Sequence, residues 1–427
     1  MADKSQSPPP PPAATSTESS PPPAAVAKST PQSAPKSPPA AVAASAPAGT
    51  SSSQAQAEEG SSTTSLTPAP ATPAAPAATA PATTPATAPT TETNTGILPP
   101  ETWAAAEAGD DADSSLGDLD NVSSTASLTA SILEYRTYHG RTYHSDRGDA
   151  QYWGSNDARA AESMDINHHM LTLCLDGKLF RAPLDGDKIE KVLDVGTGTG
   201  IWAIDFADQY PNAEVIGTDL SPIQPTWVPP NLMFEIDDAT QPWTFPADSF
   251  DYVHMRYLVG SIVDWTALYR QAFKALKPGG WLEDYEAAPF LESDDGSVEE
   301  TSALGQWGRI FIEGGKRMNR SFEVVDHDVQ RTAMAAAGFV DIQTWDFKCP
   351  VGGWPEDPKL NRIGLFSQLA LESDIEGYVL FITNVISGWS REQVLVYIAR
   401  LRRELRDKRY HGYFRLRAVW GRKPEAK

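Results

Sequence analysis

Seven consecutive residues, Asp194-Val195-Gly196-Thr197-Gly198-Thr199-Gly200, carry the strongest chemical signal in the chain. They stand between an apolar run at 191–195 and a stretch of helical spacing that begins at Ile201. A glycine-rich turn placed there brings backbone amides close to a ligand and aims the positive end of a helix dipole at anionic groups. The dinucleotide-binding version needs a third glycine five residues after the first, and residue 201 is isoleucine. Three glycines at alternating positions fit a loop for S-adenosylmethionine instead. An ordinary turn packed for steric reasons is the plain alternative. Two acids follow at matching places. Asp219 closes an apolar run at 214–218, where a carboxylate accepts hydrogen bonds from both hydroxyls of a ribose. Asp238 and Ala239 follow the run at 232–236, where a carboxylate accepts from an exocyclic adenine amine and a neighbouring N–H meets a ring nitrogen. Each acid alone is more often a solvated loop residue. Three such features along one carboxyl edge of a sheet mark the crevice in which open α/β sheets bind ligands.

By type, His254, Tyr143, His144, Tyr152, His168 and His169 suit a general base, although most such residues pack or hydrogen-bond. The sequence assigns no catalytic residue. It holds no metal triad, no Ser/His/Asp order and no P-loop, so no metal is expected.

The elements that must position these groups alternate. A strand at 191–195, a helix at 201–210 and strands at 214–218, 232–236 and 250–255 are followed by a helix at 265–276, with apolar Trp265, Leu268, Ala272 and Leu276. Lys277-Pro278-Gly279-Gly280 stops that helix, and a fifth strand opens at Trp281. Such alternation predicts an α/β fold with a parallel sheet covered by helices on both faces. Farther on, a helix ending at Gly338 precedes a strand at 340–349, and Ser390 to Gln393 has capping-box spacing before a helix. A last strand at 413–420 is expected to pair antiparallel with the one near residue 345.

The first 100 of the 427 residues hold 22 of the 36 prolines and none of the 39 aromatic residues, the first being Trp103. A Pro/Ala/Ser/Thr stretch buries too little to offset the entropy of ordering it, so residues 1–130, including an acidic segment from Glu101 to Asp120, are expected to form a disordered tail and linker. The folded domain is expected over 131–427, with a helical lid at 131–184 rich in Tyr and His and a cofactor-binding core at 190–290. Neither a secretory h-region nor 18 consecutive apolar residues occurs, which predicts an intracellular protein of cytoplasm or nucleus with no membrane contact. Cys174 and Cys349 lack the spacing of a disulfide framework or a zinc site. The net charge of −21 argues against a direct grip on nucleic acid, although residues 391–427 carry twelve Lys or Arg against four acids.

The segments at 192–200, Asp219-Leu220-Ser221, Asp238-Ala239, 249–253 and 276–280 resemble the successive motifs of class I S-adenosylmethionine-dependent methyltransferases. More narrowly, the segments at 200–207, 218–225 and 279–283, with Tyr152-Trp153, Asn156-Asp157 and His168-His169, are similar to the fungal LaeA-like methyltransferases. The resemblance covers roughly residues 131–422. It implies a Rossmann-like seven-stranded sheet whose last strand is antiparallel, and S-adenosyl-L-methionine as cofactor. By motif matching, Gly196, Thr197, Gly198 and Gly200 surround the methionine part, Asp219 with Leu220 holds the ribose, and Asp238 with Ala239 holds the adenine. Asp194 orients the loop or the amino group. Arg256 borders the methyl donor or serves as a structural ion-pair partner. The implied activity is methyl transfer linked to fungal secondary metabolism or its regulation, the alternative being a cofactor-binding regulatory scaffold without turnover. The acceptor, a small molecule or a protein, is open, and velvet-type regulatory partners are implied for the family.

Overall fold

The computed structural model describes residues 96–103, 134–145 and 152–426. Of the tail and linker expected at 1–130, residues 1–95 and 104–130 lie outside the described residues. A short 3-10 turn, Pro100–Trp103, is followed by a hairpin of β1 (Arg136–Tyr138) and β2 (Arg141–Tyr143). Then come α1 (Ala158–Cys174), β3 (Lys191–Val195), α2 (Ile201–Gln209), β4 (Glu214–Asp219), β5 (Leu232–Ile236) and β6 (Phe250–Arg256). The chain continues through α3 (Trp265–Ala275), β7 (Leu276–Glu292), α4 (Ala303–Met318), α5 (Val329–Ala337) and β8 (Val340–Pro350). It ends with α6 (Pro358–Ser373), α7 (Ile375–Leu380), a π-helical turn (Phe381–Ile386), α8 (Arg391–Arg406) and β9 (Tyr413–Arg422).

Seven strands form one sheet in the order β5-β4-β3-β6-β7-β9-β8. The first five run parallel, and β9 enters antiparallel between β7 and β8. Trp345 pairs with Ala418, the contact expected for the last strand. The Rossmann-like α/β class follows from this topology. Strands buried on both faces read as nearly continuous apolar runs. In β3 and β6, Val192 lies opposite Tyr252 and joins the cluster under α2 with Trp202 and Phe206. The next pair, Leu193 and Val253, turns to the other face, with Leu268 and Tyr269 of α3. Successive side chains of a strand alternate faces, so one register fills both layers.

Polar caps set the helices that border the site. Asp157 caps α1 by accepting from Ala160 N, and Asp264 caps α3 from Ala267 N. The capping box at Ser390 and Gln393 is formed at the start of α8.

The domain edge lies earlier than residue 131. Trp103 is 5% exposed within the main core, its ring 5.4 Å from that of Tyr397 on α8, and Leu98 N donates to Gln306 Oε1 on α4 at 2.8 Å. One tryptophan between a proline-rich stretch and an acidic one is averaged away by composition. The apolar area it buries is decided by a partner almost 300 residues later.

Candidate active site

A cavity of about 190 Å³ opens at the carboxyl edge of β3, β4, β5 and β6. The glycine loop forms its floor. Gly196, Gly198 and Gly200 have φ of 69°, 58° and 81°, the left-handed region that side-chain-bearing residues rarely enter. A Cβ on Gly196 would come within 2.5 Å of Leu258, and one on Gly200 within 2.3 Å of Phe234. The sequence alternates Gly with Thr because each turn of the loop needs a positive φ.

Two carboxylates fix the loop from beneath. Asp194 Oδ2 accepts from Thr197 Oγ1 at 2.6 Å, and its Oδ1 lies 2.7 Å from His254 Nδ1. A carboxylate only accepts, so His254 Nδ1 carries the proton. Burial holds this imidazole below its usual range, and the neutral ring stacks on Trp202 at 3.7 Å and 5° between planes. Asp219 accepts from Gly198 N at 2.8 Å and Ser221 N at 3.0 Å, one amide on each oxygen. Loss of solvent raises its carboxyl to about 6 against the pull of those amides. Each oxygen keeps a lone pair for a further donor.

Leu220, Asp237, Asp238, Ala239 and Thr240 continue the wall. Asp238 Oδ1 accepts from both the amide and the hydroxyl of Thr240, at 2.9 and 2.6 Å, which fixes the turn after β5. Arg256 ends β6, and its Nη2 lies 3.1 Å from His168 Nδ1. A guanidinium only donates, so His168 accepts there and its Nε2–H points to Asp205 Oδ2 at 2.9 Å. Nine of the ten cofactor residues expected from the sequence, Asp194, Gly196, Thr197, Gly198, Asp219, Leu220, Asp238, Ala239 and Arg256, thus line one cavity, while Gly200 caps α2 and packs against Phe234 instead of lining it.

A family model described as a methyltransferase domain matches residues 166–344. Methyltransferase pytC of Aspergillus terreus is 36% identical over 307 residues, covering 72% of this chain and 93% of that protein. The secondary metabolism regulator LAE1 of Cochliobolus heterostrophus is 35% identical over 67% of this chain and 94% of that protein. The secondary metabolism regulator laeA of Aspergillus fumigatus is 33% identical over 72% and 81%. The chain belongs to the LaeA-like methyltransferases.

In this LaeA-like chain the segment ahead of β3 divides its aromatic residues between two jobs. Tyr152, Trp153, Ser155 and Asn156 line the cavity, and Asn156 Nδ2 reaches Ser221 Oγ at 3.2 Å. Tyr143 does not line it: fully buried, it packs on Tyr138 and Phe381. His144 Nε2 accepts from Tyr152 N at 2.9 Å and so serves as a strut for the loop. His169 is exposed and packs on Phe366. Sequence reasoning missed Met164, Tyr257 and Tyr378, which also line the cavity. Tyr257 gave one faint signal, since it directly follows the strand-end Arg256. Tyr378, more than 100 residues beyond the glycine loop and its acids, gave none. Among the described residues, no helix is long and apolar enough to cross a membrane, and no cluster of His, Cys, Asp or Glu has the makings of a metal site.

Proposed function

We propose that this chain is an S-adenosylmethionine-dependent methyltransferase acting in fungal secondary metabolism or its regulation. The observation that carries the cofactor is the loop itself: three alternating glycines at positive φ, two of them where a Cβ would collide, held over two strand-end carboxylates. That cradle fits an adenosyl amino acid. The loop of Gly196, Thr197, Gly198 and Gly200 surrounds the methionine part by close backbone approach, the Thr197 and Gly198 amides being committed to Thr218 O and Asp219. Asp219, beside Leu220, keeps one free lone pair per oxygen for the ribose hydroxyls, and Asp238 and Ala239 face the adenine. Asp194 acts through Thr197 and His254 to keep the loop rigid. The Arg256 guanidinium suits the amino-acid carboxylate, because facing the sulfonium would bring like charges together.

When bound, S-adenosylmethionine supplies an electrophilic methyl, whose transfer to an acceptor heteroatom leaves S-adenosylhomocysteine and a proton. The chain's own task is to orient both reactants and exclude water. The link to secondary metabolism is supported by the names of two relatives, both regulators of that metabolism, beside a third named as a methyltransferase. Incubation of the protein with methyl-labelled cofactor and a fungal extract, resolved into protein and small-molecule fractions, tests the activity. Label above the Asp219→Ala control in either fraction supports methyl transfer, and none in both contradicts it.

A further inference from the structure

A second cavity, about 90 Å³, adjoins the first. Trp153, Asn167, Tyr257 and Tyr378 line both, so the two share a throat. Beyond it the walls are mainly apolar, with Met170, Trp307, Phe311, Phe322, Leu371 and Phe414 among them, and among the described residues no Asp, Glu, Lys or Arg contributes. A cation entering such a space would lose its hydration with no charge to replace it. Flat apolar molecules, in contrast, gain by filling it.

The throat is built to orient a polar group. Tyr257 has φ of 57°, a strained conformation for an aromatic residue. The chain around it holds that strain: Tyr257 N donates to Tyr285 O at 3.1 Å, while Leu258 N and Val259 N donate to the two oxygens of buried Glu286 at 2.7 and 3.0 Å. Three consecutive amides are thereby pinned, and the side chain is placed between the cavities. Two throat residues already spend their polar atoms, Trp153 Nε1 on Val259 O and the Tyr378 hydroxyl on Ser163 Oγ. The Tyr257 hydroxyl and the Asn167 amide have no side-chain hydrogen bond to any described residue. Burial pushes the Tyr257 phenol well above its usual range, so it stays protonated and able to donate.

We propose that this second cavity is the acceptor subsite, and that it takes the flat, uncharged, apolar body of a small molecule whose hydroxyl sits at the throat against Tyr257 and Asn167. The acceptor role rests on the methyltransferase reading. The subsite disfavours the cationic side chains of lysine and arginine, and so favours a small-molecule acceptor over a protein one.

Calorimetric titration of the full chain tests it without turnover, with 2-naphthol as the neutral hydroxylated probe and phenethylamine as the cationic one. The wild-type protein is expected to bind 2-naphthol and to bind phenethylamine at least tenfold more weakly. Ala370→Leu and, separately, Ala288→Leu fill the cavity from α6 and from β7, so at least one folded variant should lose 2-naphthol while keeping S-adenosylmethionine affinity within twofold. Tyr257→Phe should weaken 2-naphthol about fivefold to tenfold, the effect of one hydrogen bond. The proposal is overturned if wild-type protein does not take 2-naphthol, if the filled variants bind it unchanged, or if phenethylamine binds as well. Wild-type protein that takes 2-naphthol but not S-adenosylmethionine overturns the acceptor role through the cofactor reading, and leaves the apolar cavity standing.

Discussion

Arg141 and Asp374 stand 233 positions apart and meet in a two-point ion pair, Nη1 to Oδ1 and Nη2 to Oδ2, both at 2.7 Å. The same guanidinium reaches Asp157 at 2.6 and 2.8 Å and Ser155 Oγ at 2.8 Å. One buried cation thus ties the hairpin, the first turn of α1 and the start of α7 around the cavity-lining loop at 152–156.

Removing Arg141 leaves the buried Asp374 carboxylate with the half-exposed Arg159, at 3.6 Å, in place of its two-point partner. Arg141→Ala should cost about 3 to 5 kcal/mol in denaturant unfolding. The double variant Arg141→Ala with Asp374→Ala should recover part of that loss. Equal stability of Arg141→Ala and wild type would show that the pair contributes nothing to the fold.

Asp219 links pH to cofactor affinity. Its carboxyl lies at about 6 in the free protein, above the ordinary 3.8, so protonation is favoured by folding and the free protein loses stability from this group as pH rises from about 4 to 6. Ribose hydroxyls donate to the ionised form. Affinity for S-adenosylmethionine should therefore tighten about tenfold from pH 5 to pH 7, the fraction ionised setting the ratio. Asp219→Asn should bind more weakly at pH 7 and lose this dependence. A wild-type affinity that is flat or falls over that range would move the ribose contact elsewhere.

Trp103 makes the boundary of the domain measurable. Trp103→Ala should cost about 3 kcal/mol, the usual loss for a buried aromatic. Trp103→Phe should be milder, since the indole N–H is buried without an acceptor among the described residues. Deletion of residues 1–90, which hold no aromatic side chain, should leave the thermal midpoint unchanged, whereas deletion of 1–125 should lower it by several degrees. Equal midpoints for the two deletions would mean that Trp103 adds nothing to the core.

Local chemistry was legible in the sequence and long-range chemistry was not. The strands from β3 to β6 show as apolar runs because both of their faces are covered, and the glycine loop with Asp194, Asp219 and Asp238 shows because each sits at a strand end fixed by neighbouring sequence. Even the antiparallel pairing of β9 with β8 could be expected, though its insertion beside β7 is a matter of topology. Tyr143 and Tyr152 look alike in sequence, yet the β2 register buries the first and the following loop presents the second. Arg141 with Asp374, and Tyr257 with Tyr378, meet only after the sheet has assembled, and no spacing announces them.

The central claim is that the loop from Asp194 to Gly200 holds S-adenosylmethionine, and Gly198 tests it most directly. Its φ of 58° disfavours a β-branched residue, and its amide donates to Asp219. Isothermal titration of S-adenosylmethionine into wild-type protein and into Gly198→Val, with thermal midpoints to show that both are folded, should give saturable binding in the first and at least a hundredfold weaker binding in the second. No binding by the wild type, or equal affinity in a folded Gly198→Val, would contradict the account.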